Sequence, residues 1–143
     1  MIKNYLKQIV RLKLGKPQQQ FYKWVLKNGK SFNKINPKIN KLENASNSQR
    51  QCYYNSQMLA LSGKFEYYEG WYVTENINLP LEHGWNVLNG KVIDVTSHNR
   101  FNVDEYFGIK IPINYIRKMI LKTGYSDGFL GRYYYDEIKN AEL

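Results

Sequence analysis

The chain of 143 residues has a single cysteine, Cys52, which excludes an intrachain disulfide and a cysteine-rich metal cage. It has no run of about 18 apolar residues, so no membrane-spanning helix is expected, and lysines interrupt its first residues too often for a secretory signal. Its two histidines have no acidic partners at metal-ligand spacing. We therefore expect no metal, no cofactor and a cytoplasmic protein.

Acidic residues are almost missing from the first third of the chain. Up to Gln51 there are twelve of the 21 Lys and Arg but one of the 12 acidic residues, Glu43. One interpretation is a pair of solvated helices, and the other is a docking surface for nucleic acid or an acidic protein. Phe21 and Trp24 among these lysines suit stacking on a single strand, but together with Val25 they share one helical face, which is typical of a core.

Apolar periodicity and turn residues predict helices first and mostly antiparallel strands afterwards. The predicted elements are helices over 2–14 and 18–28, irregular chain over 30–47, a helix that follows the capping box 48–51 and runs to 61, a strand over 65–74, a loop over 75–82, a hairpin over 83–96, a strand over 106–111, a helix over 113–123 and a last strand over 132–135. This order indicates an α+β fold. We treat 1–143 as a single domain, with a basic N-terminal helical region over 1–47 and an α+β core over 48–143.

Cys52 is predicted to lie in the first turn of a helix. Ser48 and Gln51 have the spacing of a capping box, which makes Ser48 the N-cap. The free N–H groups and the dipole of a helix start favour an anion, and hence the thiolate that acts as a nucleophile. The alternative is that Cys52 is a small buried hydrophobe.

A hairpin around Asn89-Gly90 is predicted to bring a histidine and an acid together. This dipeptide suits a type I′ turn, which pairs Trp85 with Asp94 and sets His83 opposite Thr96. His83 and Asp94 are then diagonal neighbours on one face, within hydrogen-bonding reach. A carboxylate in that position orients an imidazole for base catalysis. The alternatives are a structural histidine at a strand edge and an acid that caps a loop.

The hairpin sequence resembles a known family. Residues 83–87, 90–92 and 94–96 are similar to the "H-A-W-N-x-V … G-x-W … D-P-T" block of the transglutaminase-like superfamily, within the papain-like cysteine hydrolase and acyltransferase fold. Residues 52–55, 68–70 and 106–108 resemble motifs of small phage and bacterial proteins. The resemblance implies a Cys-bearing helix packed on an antiparallel sheet, with Cys52 as nucleophile, His83 as general base and acid, and Asp94 as the orienting group.

Other residues are candidates for the rest of a site. An oxyanion hole would combine the Cys52 backbone N–H with a side-chain amide, for which we select Gln49; its alternative is capping of the helix. Trp85, Tyr68 and Trp71 are candidates for a substrate groove, with packing in the sheet as the alternative.

The sequence thus favours a cysteine-dependent hydrolase or acyltransferase, either a peptidase, a deamidase or an amide acyltransferase. It would act on an amide or ester carbonyl of a protein or peptide-like substrate through a Cys-His-Asp triad and a thioester. The alternative is a non-catalytic basic binding protein, directed at nucleic acid or at a host protein that it inhibits. A phage-encoded protein would act in the host cytoplasm, and no membrane partner is expected.

Overall fold

The chain forms an α+β fold in which helices pack on a five-stranded antiparallel sheet. The computed structural model describes residues 1–12, 14–33, 51–96, 103–124 and 127–142. The helices are α1 (Ile2–Arg11), α2 (Lys16–Asn28), α3 (Cys52–Leu61), α4 (Ile113–Thr123) and α5 (Leu130–Tyr133), which continues into a π-helical turn (Tyr134–Lys139) and a 3-10 turn (Asn140–Glu142). The strands are β1 (Lys30–Phe32), β2 (Glu66–Thr74), β3 (Ile77–Leu88), β4 (Lys91–Ile93) and β5 (Val103–Lys110).

The strand order is β1-β5-β2-β3-β4, so that β2 lies at the centre and pairs with β3 and β5. Side chains alternate between the two faces of the sheet. One face, which we call the helix face, carries Tyr67 and Trp71 of β2. The opposite face carries Tyr68 of β2, and its partner Trp85 of β3 lies beside it.

The helix face holds most of the core. Ile2 and Leu6 of α1 and Val25 of α2 form one buried cluster with Trp71 and Phe107 of the sheet. A second buried cluster joins α3, α4 and the sheet, with Ala60, Tyr67, Ile111, Tyr115, Ile116, Met119 and Phe129 as members. The N-terminal helices and the central strands therefore bury their apolar side chains in one common cluster.

Two predictions for the middle of the chain are wrong. Residues 75–82 were predicted as a loop, but β3 begins at Ile77 and includes Pro80. The register of β2 and β3 shifts between Tyr72 and Thr74, and Pro80 lies in this irregular stretch, where a missing N–H disturbs the ladder least. Irregular chain was predicted from residue 30 onward, but β1 forms because Phe32 pairs with Tyr106 and buries its ring. Residues 34–47 lie outside the described residues.

The predicted strand over 132–135 is also wrong, because these residues are helical. Tyr134 is buried and packs against Phe21 and Trp24 of α2, with ring centroids 5.4 and 5.1 Å away. The β-preference of aromatic residues reflects how they pack on a sheet, and here they pack on a helix instead. The helix predicted over 113–123 is confirmed, and it ends at Gly124, whose φ of 76° suits a left-handed C-cap.

Candidate active site at the start of α3

The hairpin between β3 and β4 positions a histidine and an acid. The predicted turn is confirmed, since Val87 pairs with Val92 and both Asn89 and Gly90 have positive φ, 52° and 76°. The ladder ends earlier than predicted, at the pair of Asn86 and Ile93, so the predicted pairing of Trp85 with Asp94 lies just beyond it.

Although Asp94 follows β4 rather than belonging to it, it contacts the predicted histidine. His83 Nε2 lies 2.7 Å from Asp94 Oδ2. The two residues are 3% and 1% exposed, so water screens this pair little. Diagonal placement across the hairpin therefore brings the imidazole and the carboxylate into direct contact.

Cys52 is the first residue of α3. The N-cap is Gln51, with no side-chain cap hydrogen bond, so the prediction that Ser48 caps this helix is wrong. The Asn55 backbone N–H donates to Gln51 O at 2.9 Å, and this bond places the N-cap at the residue directly before the cysteine. Cys52 consequently lies nearer to the free N–H groups of the helix start than the capping box implied.

Three contacts hold the start of α3 against the hairpin. Asn86 Nδ2 of β3 donates to Ser56 O at 2.9 Å, and Asn55 Nδ2 donates to Thr96 Oγ1 at 2.9 Å. Gly84 of β3 leaves room for the ring of Tyr53, because a Cβ there would lie 2.9 Å from Tyr53 Cδ1. β4 ends at Ile93 and therefore does not pair with the part of β3 that carries His83. The start of α3 lies beside this part of β3.

The charge of His83 depends on both neighbours. Burial opposes an imidazolium and by itself lowers the pKa of His83. The charge and hydrogen bond of the Asp94 carboxylate, together with a smaller effect of the nearby Cys52 sulfur, outweigh burial, and the pKa of His83 rises to about 10. Because Nε2 faces Asp94, Nδ1 is the ring nitrogen that does not contact the carboxylate. The imidazole and the carboxylate are thus in direct contact, and the Cys52 sulfur is near enough to affect the pKa of His83.

Two tyrosines that the sequence analysis did not assign to the site support the contact between His83 and Asp94. The Tyr106 hydroxyl donates to Asp94 Oδ2 at 2.9 Å, and the Thr96 backbone N–H lies 3.3 Å from Asp94 Oδ1. The ring of Tyr72 stacks on His83 with centroids 4.1 Å apart and planes at 17°. Tyr72 and Tyr106 are directly paired across β2 and β5, a long-range register that no local motif indicates.

The remaining candidates have different outcomes. Trp85 is fully buried and Tyr68 nearly so, with their rings stacked at 6.0 Å, so neither side chain is open to solvent. Trp85 also stacks on His83, with ring centroids 6.3 Å apart. Trp71 is also mostly buried, but it lines a cavity of about 370 Å³ on the helix face. Gln49, the oxyanion candidate, lies outside the described residues.

Among the described residues neither a metal site nor a membrane span is found, and comparisons with known proteins give negative results. In the part of the chain that the structure describes, no group of three or more His, Cys, Asp or Glu side chains is arranged to hold a metal ion. No described helix combines the length and apolar character needed to cross a membrane. Comparison of the chain with protein-family models, with curated proteins and with solved structures gives no match.

Proposed function

We propose that this chain is a cysteine-dependent hydrolase or acyltransferase that acts on an amide or ester carbonyl, built on a papain-like, transglutaminase-like core. The observation that carries the proposal is the buried pair of His83 Nε2 and Asp94 Oδ2 at 2.7 Å, with the Cys52 sulfur near enough to the same imidazole to raise its pKa. A nucleophile, a base and a group that orients the base are what covalent acyl transfer needs.

The charge of His83 supports this chemistry. With the pKa of His83 raised to about 10, the imidazole is protonated near neutral pH. The protonated imidazole is the acid that a leaving group requires.

The reaction would proceed in two stages. The Cys52 thiolate attacks the carbonyl carbon, and the carbonyl electron pair moves onto oxygen, where the Cys52 backbone N–H can donate to the oxyanion. As that pair returns, the carbon–nitrogen or carbon–oxygen bond breaks, and His83 gives its proton to the departing amine or alcohol. Water or a second amine, deprotonated by His83, then attacks the thioester and releases the sulfur. Water completes hydrolysis, whereas an amine completes acyl transfer.

Alkylation of Cys52 tests the proposal. We expect iodoacetamide to modify Cys52 near neutral pH faster than a free model thiol such as N-acetylcysteine, and His83→Ala to slow the modification about tenfold or more. Mass spectrometry of the intact chain measures the rate, since Cys52 is the sole cysteine. His98→Ala, which removes the other of the two histidines, is the matched control and should leave the rate unchanged. A rate equal to that of the model thiol and unaffected by His83→Ala would contradict the proposal.

A second candidate function, binding of a polyanion, is favoured by a cavity of about 420 Å³ whose lining includes Lys23, Lys27 and Lys139 beside Trp24. Three lysines around an aromatic ring suit a nucleic acid strand or an acidic protein. Retention on a heparin column should fall steeply with salt. The double variant Lys23→Gln/Lys27→Gln should elute at lower salt than Lys91→Gln, and equal elution would count against this candidate.

A further inference from the structure

A cavity of about 370 Å³ lies on the helix face beside the candidate active site. Its lining includes residues directly adjacent in sequence to the site, namely Tyr53 after Cys52 and Glu82 before His83. Its volume is at the lower end of the range for small-ligand sites. Because neighbouring strand residues face opposite sides of the sheet, Glu82 faces the cavity and His83 the other side. A group bound here would therefore lie beside the start of α3, within reach of a long side chain of a substrate held at Cys52.

The lining of the cavity combines aromatic and acidic side chains. Three aromatic residues, Phe21, Tyr53 and Trp71, contribute to the walls, and so do three acidic residues, Glu69, Glu82 and Asp127; none of the lining residues that the structure describes is a lysine or arginine. Aromatic faces attract cations through the ring quadrupole, and carboxylates attract them through charge. This combination occurs in a protein whose formal net charge is +9, so it contrasts with the chain as a whole.

Glu69 is the acid that is hardest to explain by stability alone. It is 2% exposed, and its hydrogen-bond donors among the described residues are neutral. The Tyr67 hydroxyl donates to Oε1 at 2.6 Å, and the Phe129 backbone N–H lies 2.7 and 2.8 Å from the two carboxylate oxygens. Within the described chain no cation lies within salt-bridge distance of this carboxylate. A buried carboxylate without a counter-ion is costly, and a cationic ligand would remove that cost.

We propose that this cavity binds an organic cation, the ammonium or guanidinium end of a Lys or Arg side chain that neighbours the carbonyl attacked by Cys52. The location relative to the reaction rests on the proposed function, whereas cation binding itself does not. Phosphate or carboxylate ligands would be repelled by Glu69, Glu82 and Asp127. A neutral ligand would leave an ionised Glu69 without a partner of opposite charge.

Titration with small probes tests the cation site directly. The probes are n-butylguanidinium and n-butylammonium, with n-butylurea as the neutral analogue of the first. Binding is followed by NMR through the indole N–H of Trp71, which lines the cavity and is assigned with Trp71→Phe. We expect both cations to shift this signal in a saturable way and n-butylurea not to shift it. The preferred side chain is Arg if n-butylguanidinium binds with the higher affinity, and Lys if n-butylammonium does.

Charge-removing variants make the test specific. Glu82→Gln, at an exposed position, should weaken binding of the cations about threefold, and Glu69→Gln about tenfold. Glu66→Gln is the matched control, because Glu66 lies on the same strand, points to the opposite face and pairs with Lys110; it should leave binding unchanged. Equal binding of n-butylurea, or binding insensitive to both cavity variants, would overturn the proposal.

The two proposals can fail separately. Cys52→Ala removes the sulfur but none of the cavity lining, so it should retain cation binding. If iodoacetamide finds no activated thiol while n-butylguanidinium still binds, the proposed function is wrong and the cation site stands. If Cys52 is activated but neither cation binds, the cation site is wrong and the proposed function stands.

Discussion

Asp94 contacts two other residues of the candidate site. Its Oδ2 atom lies 2.7 Å from His83 Nε2 and accepts the Tyr106 hydroxyl at 2.9 Å. Two donors on one buried oxygen fix the direction in which the carboxylate meets the imidazole. The orientation of His83 thus depends on β5 as well as on its own hairpin.

Tyr106→Phe removes one of these donors without changing the ring. Because hydrogen bonds to charged groups contribute about 1.5–3 kcal/mol, we expect the free energy of unfolding to fall by about that amount. We also expect slower alkylation of Cys52, because His83 is held less firmly. Tyr115→Phe is a matched control, since the Tyr115 hydroxyl donates to the exposed Asp136 at 3.0 Å. Urea denaturation should show a smaller loss for Tyr115→Phe and no change in alkylation, and equal effects of the two variants would contradict this account.

Glu69 should make stability depend on pH. Burial raises the pKa of Glu69 to about 7, although the Tyr67 hydroxyl and the Phe129 N–H partly oppose the shift. Because the folded-state pKa is above the unfolded value, the neutral carboxyl stabilises the fold at low pH, and this contribution is lost as pH rises from about 4.5 through 7.

Relative to Glu69→Gln, the free energy of unfolding of the wild-type chain should therefore fall by up to about 3 kcal/mol across that range. Urea denaturation at pH 4.5, 6 and 7.5 measures it. Parallel pH profiles for the two chains would show that Glu69 does not titrate there. His83, with its pKa raised to about 10, should add a separate loss of stability between about pH 6.5 and 10.

At the scale of elements, the contact between α3 and β3 sets the distance from Cys52 to His83. Gly84→Ala would place a Cβ 2.9 Å from Tyr53 Cδ1 and 3.1 Å from Ser56 Oγ, so the helix must move outward. We expect a loss of about 1–3 kcal/mol in stability and slower alkylation of Cys52. Gly131→Ala meets nothing within 4 Å in α5 and should be neutral or slightly stabilising. Thermal unfolding distinguishes the two, and an unperturbed Gly84→Ala would show that the contact is loose.

The elements that the sequence predicted well are those fixed by local chemistry. The turn at Asn89-Gly90 sets its own register, and Gly124 ends α4, because each needs a positive φ. The start of β3 was missed because it depends on pairing with β2, and β1 was missed because it pairs with β5 across more than seventy residues. The helical end of the chain was missed because Tyr134 packs on α2.

In the candidate site, too, the contacts fixed by local sequence could be predicted and those fixed by long-range pairing could not. The contact between His83 and Asp94 could be predicted because both residues belong to one hairpin. The support from Tyr72 and Tyr106 could not, because it depends on the register of β2 with β5. The burial of Trp85 and the cavity at Trp71 depend on which elements cover each face, and periodicity alone does not give that.

At the scale of the whole molecule, α1 and the sheet share one apolar cluster, and we expect them to unfold together. Leu6→Ala, at a fully buried position, should cost about 2–5 kcal/mol and lower the midpoint of the transition reported by the sheet. Leu12→Ala, at a position that is 58% exposed, should change stability by less than about 0.5 kcal/mol. Near-UV circular dichroism during urea denaturation measures both variants. A sheet transition unaffected by Leu6→Ala would mean that the N-terminal region unfolds as a separate unit.

The Asn89-Gly90 turn is also a site where the protein can deamidate over time. In an Asn-Gly step the glycine nitrogen can attack the side-chain carbonyl of the asparagine, which expels ammonia, and uptake of water then yields isoaspartate with one extra carbon in the main chain. A two-residue turn with φ of 52° and 76° has no slack for that carbon. Deamidation of Asn89 at this solvent-exposed turn would thus shift His83 relative to Asp94. Any activity would be lost as the mass and charge of the turn change, although the turn is not part of the candidate site.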